Sequence, residues 1–266
     1  MQRSLPVLEQ RRFGETLRRD AWWFPNIFVV TILTSFVVYA TWAAFQNANY
    51  VHGPYLSPFY SPEIWGDSAH AWFGPKPGWW PAWLPFSPAL IILPVPALFR
   101  FTCYYYRGAY YKAFWADPPS CAVGEPRTSY LGERYFPLVL QNFHRYGLLV
   151  SFIFLIFLWN DVWKAFWFDN GAGGTAFGIG VGSVVMLVNV VLLTGYTLGC
   201  HSMRHVVGGM LDRLSIAPFR KRLYDVSTVC NRSHMNWAWV SLFGVALTDA
   251  YIRLCASGVL SDLRIL

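Results

Sequence analysis

The sequence predicts an all-α fold, an integral membrane bundle of five transmembrane helices, and three observations carry that prediction. Of the 266 residues 55% are hydrophobic and only 13% are charged, about half the charged share of a soluble domain, which is roughly 25%. Five stretches reach the length of about 20 mostly apolar residues that a spanning helix needs. The Lys and Arg residues are concentrated in alternate connections, the pattern that sets orientation in a bilayer.

The first stretch covers about 21–45. It is long enough to span and lacks the short apolar core and small-residue cleavage site of a signal peptide, so it reads as a retained helix. The second covers about 86–115; its purely apolar part ends near Leu98, and a Tyr-rich continuation runs on until Pro118 and Pro119. The third covers about 137–162. The fourth covers about 174–205 and ends before Gly208 and Gly209. The fifth covers about 235–254. Each reads as a helix because an open-ended segment in lipid must satisfy its own backbone polar groups. The chain thus reads as a single transmembrane domain, 1–266, with an extracytoplasmic loop at 46–85 rich in Pro and Trp. Trp65, Trp72, Trp79, Trp80 and Trp83 of that loop suit the headgroup level.

Orientation follows from the basic residues. Arg3, Arg11, Arg12, Arg18 and Arg19 precede the first helix. Arg100, Arg107, Lys112, Arg127, Arg134 and Arg145 lie around the second connection, and Arg204, Arg213, Arg220, Lys221, Arg222 and Arg232 around the fourth. Only Lys76, Lys164, Arg253 and Arg264 fall on the opposite side. This places the N-terminus in the cytoplasm and the protein in the plasma membrane, as a multi-pass chain in contact with lipid. The net charge of +7 is accounted for by this distribution. No basic-aromatic recognition motif is present, which argues against nucleic acid as a partner. The five cysteines are odd in number and irregular in spacing, and four fall on the cytoplasmic side, so a disulfide framework is not expected.

Histidines and cysteines recur at one depth. His144 opens the third apolar stretch, Cys200, His201 and His205 close the fourth, and His234 opens the fifth; Cys103 lies just beyond the apolar part of the second. His201 and His205 are four residues apart, hence on one helix face. Ionisable groups in spanning helices are costly and usually face the bundle interior, and neutral imidazole is a common metal ligand. Cys103, His144, Cys200, His201 and His205 are therefore the candidate metal ligands. Two imidazoles from facing helices would hold a haem, whereas two Cys and two His are the inventory of a Rieske-type [2Fe–2S] cluster. A structural zinc site would use similar ligands. His52 and His70, in the outer loop, read as solvated.

Residues 100–115 (RFTCYYYRGAYYKAFW), Pro118-Pro119-Ser120-Cys121-Ala122-Val123, 141–146 (QNFHRY) and 199–209 (GCHSMRHVVGG) resemble the membrane-anchor, cytochrome b-type subunit of actinobacterial succinate dehydrogenases. The similarity runs over most of 100–255; the first hundred residues match in topology. The resemblance implies a five-helix bundle that holds a flavoprotein subunit and an iron–sulfur subunit at the membrane and passes electrons from succinate to a quinone, menaquinone in this expectation. The chain would be a non-flavin subunit of a succinate:quinone oxidoreductase, with succinate oxidised on a partner. A small extra membrane subunit and a higher oligomer are compatible with it. Anchors of the two-haem type take axial histidines from four helices, including the first two. Helices 1 and 2 here contain none, which moves the expectation to a Rieske-type cluster, with one haem b as the alternative.

A quinone site needs an apolar slot and donors for two carbonyl oxygens. Arg145, Tyr146, Ser202 and Arg204 lie at the right level, Arg to stabilise a quinol oxyanion and Tyr or Ser to donate a hydrogen bond. Trp22 and Trp23 are placed to cover the ring at the entry of the first helix. Two other classes compete: a cofactor-free structural anchor, and an unrelated small-solute transporter, for which Asn189, Thr194, Thr248 and Asp249 would be the polar groups inside the helices.

Overall fold

The computed structural model describes residues 12–127, 134–136 and 138–266. Arg3 and Arg11 of the charge pattern, and Pro137 at the expected start of the third span, lie outside the described residues. Among the described residues the fold is all-α apart from two short hairpins. In chain order the elements are α1 (Phe24–Gln46), β1 (Val51–His52), β2 (Tyr55–Leu56), α2 (Pro88–Ile92), α3 (Pro94–Phe101), α4 (Tyr104–Phe114), a 3₁₀ turn Leu138–Phe143 leading into α5 (His144–Lys164), β3 (Trp167–Asp169), β4 (Thr175–Phe177), α6 (Val181–Leu198), α7 (His201–Gly208), α8 (Pro218–Arg232) and α9 (His234–Ala256). Among the described residues, α1, Leu138–Lys164, α6 and α9 are long and apolar enough to cross a membrane. A fifth span is added if Pro88–Phe101 and Tyr104–Phe114 together make one.

Several boundaries differ from those read in the sequence. The stretch 86–115 is three helices, because Pro94 starts a new helix after Leu93 and Cys103 adopts extended backbone (φ −62°, ψ 131°) ahead of α4. The stretch 174–205 begins with strand β4, paired antiparallel to β3, and its helix is interrupted at Gly199 and at Cys200, which is extended (ψ 138°). Side chains from α8 take the carbonyls this break exposes: Ser227 Oγ donates to Leu198 O (2.8 Å) and Asn231 Nδ2 to Gly199 O (2.7 Å). Gly199 is needed for that approach, since a Cβ there would lie 3.0 Å from Cys230 O. Helix α8 itself falls in what the sequence reading left as a connection. It opens with Pro at its first position, where the missing N–H costs nothing.

The chain divides into two compact units. One comprises Met1–Val37 and Phe101–Asn142. Within it Gly14 and Glu15 pair through their backbones with Gly124 (3.0 and 2.9 Å). Asn26 Nδ2 donates to Asp117 O (2.9 Å), and Arg107 Nη1 to Gln141 Oε1 (2.8 Å). Arg127 pairs with Asp117 and lies over the Tyr111 and Trp115 rings.

The other unit comprises Val38–Arg100 and Phe143–Leu266. Helix α6 packs against both α5 and α9. The buried positions of α9, among them Ala238, Ser241, Leu242, Val245, Thr248, Asp249 and Ile252, recur at helical spacing and so form one face. A core of Tyr55, Leu155, Val162, Ala165, Met186, Val190 and Ile252 fills the end where α6 begins. There Asp262 accepts the Gly182 N–H (2.9 Å) and the hydroxyls of Tyr55 and Tyr251 (2.6 Å each), which places a carboxylate at the positive end of the α6 dipole. Many apolar side chains point outward, such as Val37 and Val38 on α1 and Leu247 on α9, as lipid-facing surfaces require.

The loop after α1 is clasped to this unit by a buried ion pair. Arg253 Nε donates to Asp249 Oδ2 (2.7 Å), and Asp249 is wholly buried. Tyr39 OH (2.6 Å) and Ser57 Oγ also donate to Asp249, and Arg253 donates to the carbonyls of Ala48 (2.8 Å) and Ala43 (3.2 Å). Every polar atom of the pair thus has a partner, which a buried charge demands.

Candidate functional site

Helices α5 and α9 begin where α6 ends, so His144, Cys200 and His234 share one end of the second unit. His144 and Cys200 are both buried, and Nε2 of the first lies 3.0 Å from Sγ of the second. The His144 ring stacks on Phe99 (centroids 4.6 Å apart, 2° between planes). Phe99 meets Tyr196 edge-on at 5.8 Å, and Tyr196 stacks on His234 at 5.1 Å. Arg100 places its guanidinium over the Tyr196 ring (4.5 Å) and donates to Ser241 Oγ (2.8 Å) and Ala238 O (3.2 Å). The result is a layer of two imidazoles, a thiol, two aromatic rings and a guanidinium.

Two glycines let this layer close. A Cβ on Gly195 would lie 2.7 Å from the Trp237 ring, so glycine there admits α9 against α6. A Cβ on Gly147 would lie 3.2 Å from the Phe99 ring.

The other residues singled out by sequence fall elsewhere. His201 and His205 meet on the exposed side of α7, with their Nε2 atoms 2.9 Å apart. Partial burial, then His205 and Arg204, hold the His201 pKa below the usual histidine value. Cys103 is buried, in the other unit, as the residue that precedes α4. Arg145 and Tyr146 are exposed; Tyr146 has 68% of its surface free. Ser202 is buried in the first turn of α7. Arg204 is occupied by Tyr224, donating to its hydroxyl (2.7 Å) and lying over its ring (5.0 Å). Trp22 and Trp23 belong to the turn that opens α1, in the first unit, and Trp23 is exposed. Phe99, Arg100, Tyr196 and His234 are members of the layer absent from the set of candidate ligands and quinone contacts. His234 could have been included on its depth alone.

The donor chemistry suits a redox metal in one respect. A thiol and an imidazole already in contact are soft and borderline ligands, the pairing that iron–sulfur and zinc sites use. Among the described residues no group of three or more His, Cys, Asp or Glu is gathered closely enough to hold a metal ion.

The profile of the actinobacterial succinate dehydrogenase subunit SdhC matches residues 24–258, most of the chain and parts of both units. The chain belongs to this SdhC family. A chain of the Mycobacterium smegmatis Sdh1 complex, solved in its apo form, is 42% identical to it over 97% of both chains, with a TM-score of 0.84. No curated protein matches at a significant level. This SdhC-family chain is therefore a membrane subunit of a succinate dehydrogenase complex, an oxidoreductase. Its buried His–Cys layer sits inside the matched region, at the start of two candidate spans and the end of a third.

Proposed function

We propose that the chain anchors the flavoprotein and iron–sulfur subunits of succinate dehydrogenase at the cytoplasmic face of the plasma membrane and passes their electrons to a membrane quinone, menaquinone, through an embedded redox centre. The observation that carries this reading is the 3.0 Å contact between His144 Nε2 and Cys200 Sγ in a buried layer at one end of the spans. An imidazole nitrogen already set against a thiol favours a mixed nitrogen–sulfur donor set over a bis-imidazole haem. Such a centre would be a Rieske-type [2Fe–2S] cluster, in which imidazoles and thiolates bind different irons, with one haem b as the alternative. His144 and Cys200 would supply two ligands, and the His201/His205 pair is the further candidate within the same unit. When bound, such a cluster carries one electron at a potential in the range of roughly −150 to +300 mV.

The chain's own residues do the rest. Phe99 covers one face of the His144 ring and keeps water from it. Arg100 puts a positive charge in the layer, which favours an occupant that gains electrons. The exposed Arg145 and Tyr146 suit a ligand arriving laterally from lipid, with Arg as the stabiliser of a quinol oxyanion and Tyr as a donor to a quinone oxygen. Ser202 and Arg204 are the further candidates for that quinone site.

Metal and sulfide content, with visible and electron paramagnetic resonance spectra of the purified complex, tests the centre. Iron with acid-labile sulfide assigned to this subunit supports the cluster, a haem spectrum supports the alternative, and neither leaves a structural anchor. Orientation is tested at Cys121, which is exposed. A membrane-impermeant thiol reagent should label it only after the cells are permeabilised.

A further inference from the structure

The loop between β2 and α2 is polar where it meets the core and aromatic where it is free. On the inner side Ser61 donates to Asp161 of α5, and Glu63 accepts the hydroxyls of Tyr50 (2.9 Å) and Ser68; Glu63 and Asp161 are both buried. From Ala71 to Pro88 the character changes. That stretch holds four Trp, two Phe and five Pro against one charged residue, Lys76. Phe73 (73%), Trp79 (65%) and Trp83 (82%) are largely exposed. The rings join into one surface: Trp65 meets both Phe73 (6.2 Å) and Trp79 (5.4 Å), and Trp80 links Trp79 (6.0 Å) to Phe86 (5.3 Å). A connected apolar patch of this kind marks an interaction surface.

Trp72 shows what the patch meets. Its ring lies edge-on to Phe157 of α5 (5.1 Å), and Lys164 Nζ lies over it (5.6 Å). Phe157 is seven residues inside the C-terminal end of α5, about 10 Å along the axis at 1.5 Å per residue. Helix α5 belongs to the candidate span Leu138–Lys164. Ile153, one turn further along the face of Phe157, and the neighbouring Ile156 are exposed, so the aromatic patch continues into the apolar flank of a spanning helix. The sequence places these Trp residues in a connection at headgroup level; the structure folds the connection down along the span. Backbone bonding permits this at Trp72 and Phe73. Their N–H groups bond Glu63 O (2.9 Å) and Ile64 O (3.0 Å), and Gly74 O accepts the Gly66 N–H (2.9 Å). Pro75 and Pro77, which follow, have no N–H to satisfy. Backbone paired in this way can enter hydrocarbon. The N–H groups of Trp79 and Trp83 meet no acceptor among the described residues and so call for water or headgroups.

We propose that this loop is seated in lipid: Phe73, backed by Trp72, enters the acyl region beside α5 in the leaflet at the Lys164 end, while Trp79 and Trp83 lie above it among glycerol and headgroups. Phospholipid of that leaflet is the occupant of the aromatic patch. The seat explains the two-sided character of the loop. Ionisable groups within a span are costly against hydrocarbon, and the aromatic outer side keeps acyl chains from Glu63 and Asp161. Trp, with an apolar body and one N–H, suits the boundary between tails and headgroups. Lipid contact of this kind is independent of the redox centre and of the quinone.

The test uses the purified complex in nanodiscs of a single phospholipid. The photoreactive residue p-benzoylphenylalanine is introduced at Phe73, at Trp83 and, as a reference on the flank of α5, at Ile156; all three side chains are exposed, so their replacement leaves the core in place. After irradiation and digestion, the peptides carrying Phe73 and Trp83 should each gain the mass of one phospholipid. Fragmentation should place the attachment on an acyl chain at Phe73 and on glycerol or the headgroup at Trp83. A protein adduct or no adduct at Phe73, beside a lipid adduct at Ile156, overturns the proposal, because the loop then meets another chain or water. The reverse order of depth overturns it too. Absence of lipid at Ile156 as well removes the span, and the proposal with it. In membranes, Phe73→Asp should raise protease cleavage within the loop several-fold, since a carboxylate is expelled from hydrocarbon, and Phe73→Leu should not. Equal cleavage of the two variants counts against the seat.

Discussion

His144 and Cys200 are 56 residues apart in sequence, yet Nε2 of one lies 3.0 Å from Sγ of the other, and both side chains are buried. A buried thiol and imidazole in contact make a pair whose removal can be read one member at a time. Cys200→Ser replaces a soft sulfur by a hard oxygen that binds iron poorly. It should abolish the signal of a mixed-ligand cluster and leave a haem spectrum nearly intact. His144→Ala should remove either centre. Electron paramagnetic resonance and iron and sulfide content of the two purified variants check this. Retention of the full cluster signal in Cys200→Ser would sink the assignment of its ligand.

The Asp249–Arg253 pair concerns stability and not electron transfer. Asp249 is wholly buried and Arg253 nearly so, and Tyr39, Ser57 and two carbonyls complete their bonding. Removing one charge strands the other, at a cost of about 3–5 kcal/mol, whereas removing both costs much less. Arg253→Met or Asp249→Ala should therefore lower the thermal midpoint of the complex more than the Asp249→Ala/Arg253→Met double variant does. A double variant at least as unstable as the sum of the singles would show that the pair contributes no coupling.

Acid should loosen the loop after α1 through His70. Its ring is buried, and burial, with Lys164 beside it, holds the pKa below the ordinary histidine value against the opposing pull of Glu63 and the Gly53 carbonyl. The folded loop therefore prefers the neutral ring, and a detached loop binds the proton more readily. The stabilisation is full above the unfolded value of about 6.5 and is lost as pH falls through the lowered folded value. Protease cleavage within the loop should rise between pH 7.5 and 5, and His70→Gln should flatten that rise. His70 was expected to be solvated from its place in a loop; the structure buries it behind Ser68, whose hydroxyl takes the His70 N–H (3.0 Å) and donates to Glu63.

The spans were legible because hydropathy is a property of single residues summed over a window. The interruptions were not, because they depend on residues far away. The break at Gly199 and Cys200 is tolerated only because Ser227 and Asn231 supply donors for the carbonyls it exposes, and no local pattern announces that. Helix α8 was missed for a related reason: its short apolar stripe lies among Arg, Lys and Asp, and its inner face is polar and bonded. At the site, His and Cys stand out in an apolar sequence. Phe99, Arg100 and Tyr196 do not, since an aromatic or a terminal Arg in a membrane helix reads as a headgroup contact. Only the fold sets Arg100 over Tyr196 and Phe99 against His144.

Tyr146 and Arg204 were read together as quinone contacts, and their surroundings now separate them. Tyr146 is largely exposed on α5, so shortening it disturbs little packing. Arg204 holds Tyr224 by a 2.7 Å hydrogen bond and a cation–π contact, and so ties α7 to α8. If the chain passes electrons to quinone as proposed, quinone reduction requires it, whereas reduction of a soluble dye by succinate reports on the dehydrogenase subunits upstream of it. Tyr146→Phe removes one hydroxyl donor, worth about 0.5–1.5 kcal/mol, and should lower succinate-to-quinone activity several-fold with dye reduction unchanged. Arg204→Ala should loosen the α7–α8 pair and with it the fold of the subunit, so that both activities of the isolated membranes fall together. Arg204→Lys, which keeps the charge but not the planar stack on Tyr224, should fall between the two. Equal loss of both activities in Tyr146→Phe would place that hydroxyl in assembly and remove it from the quinone site.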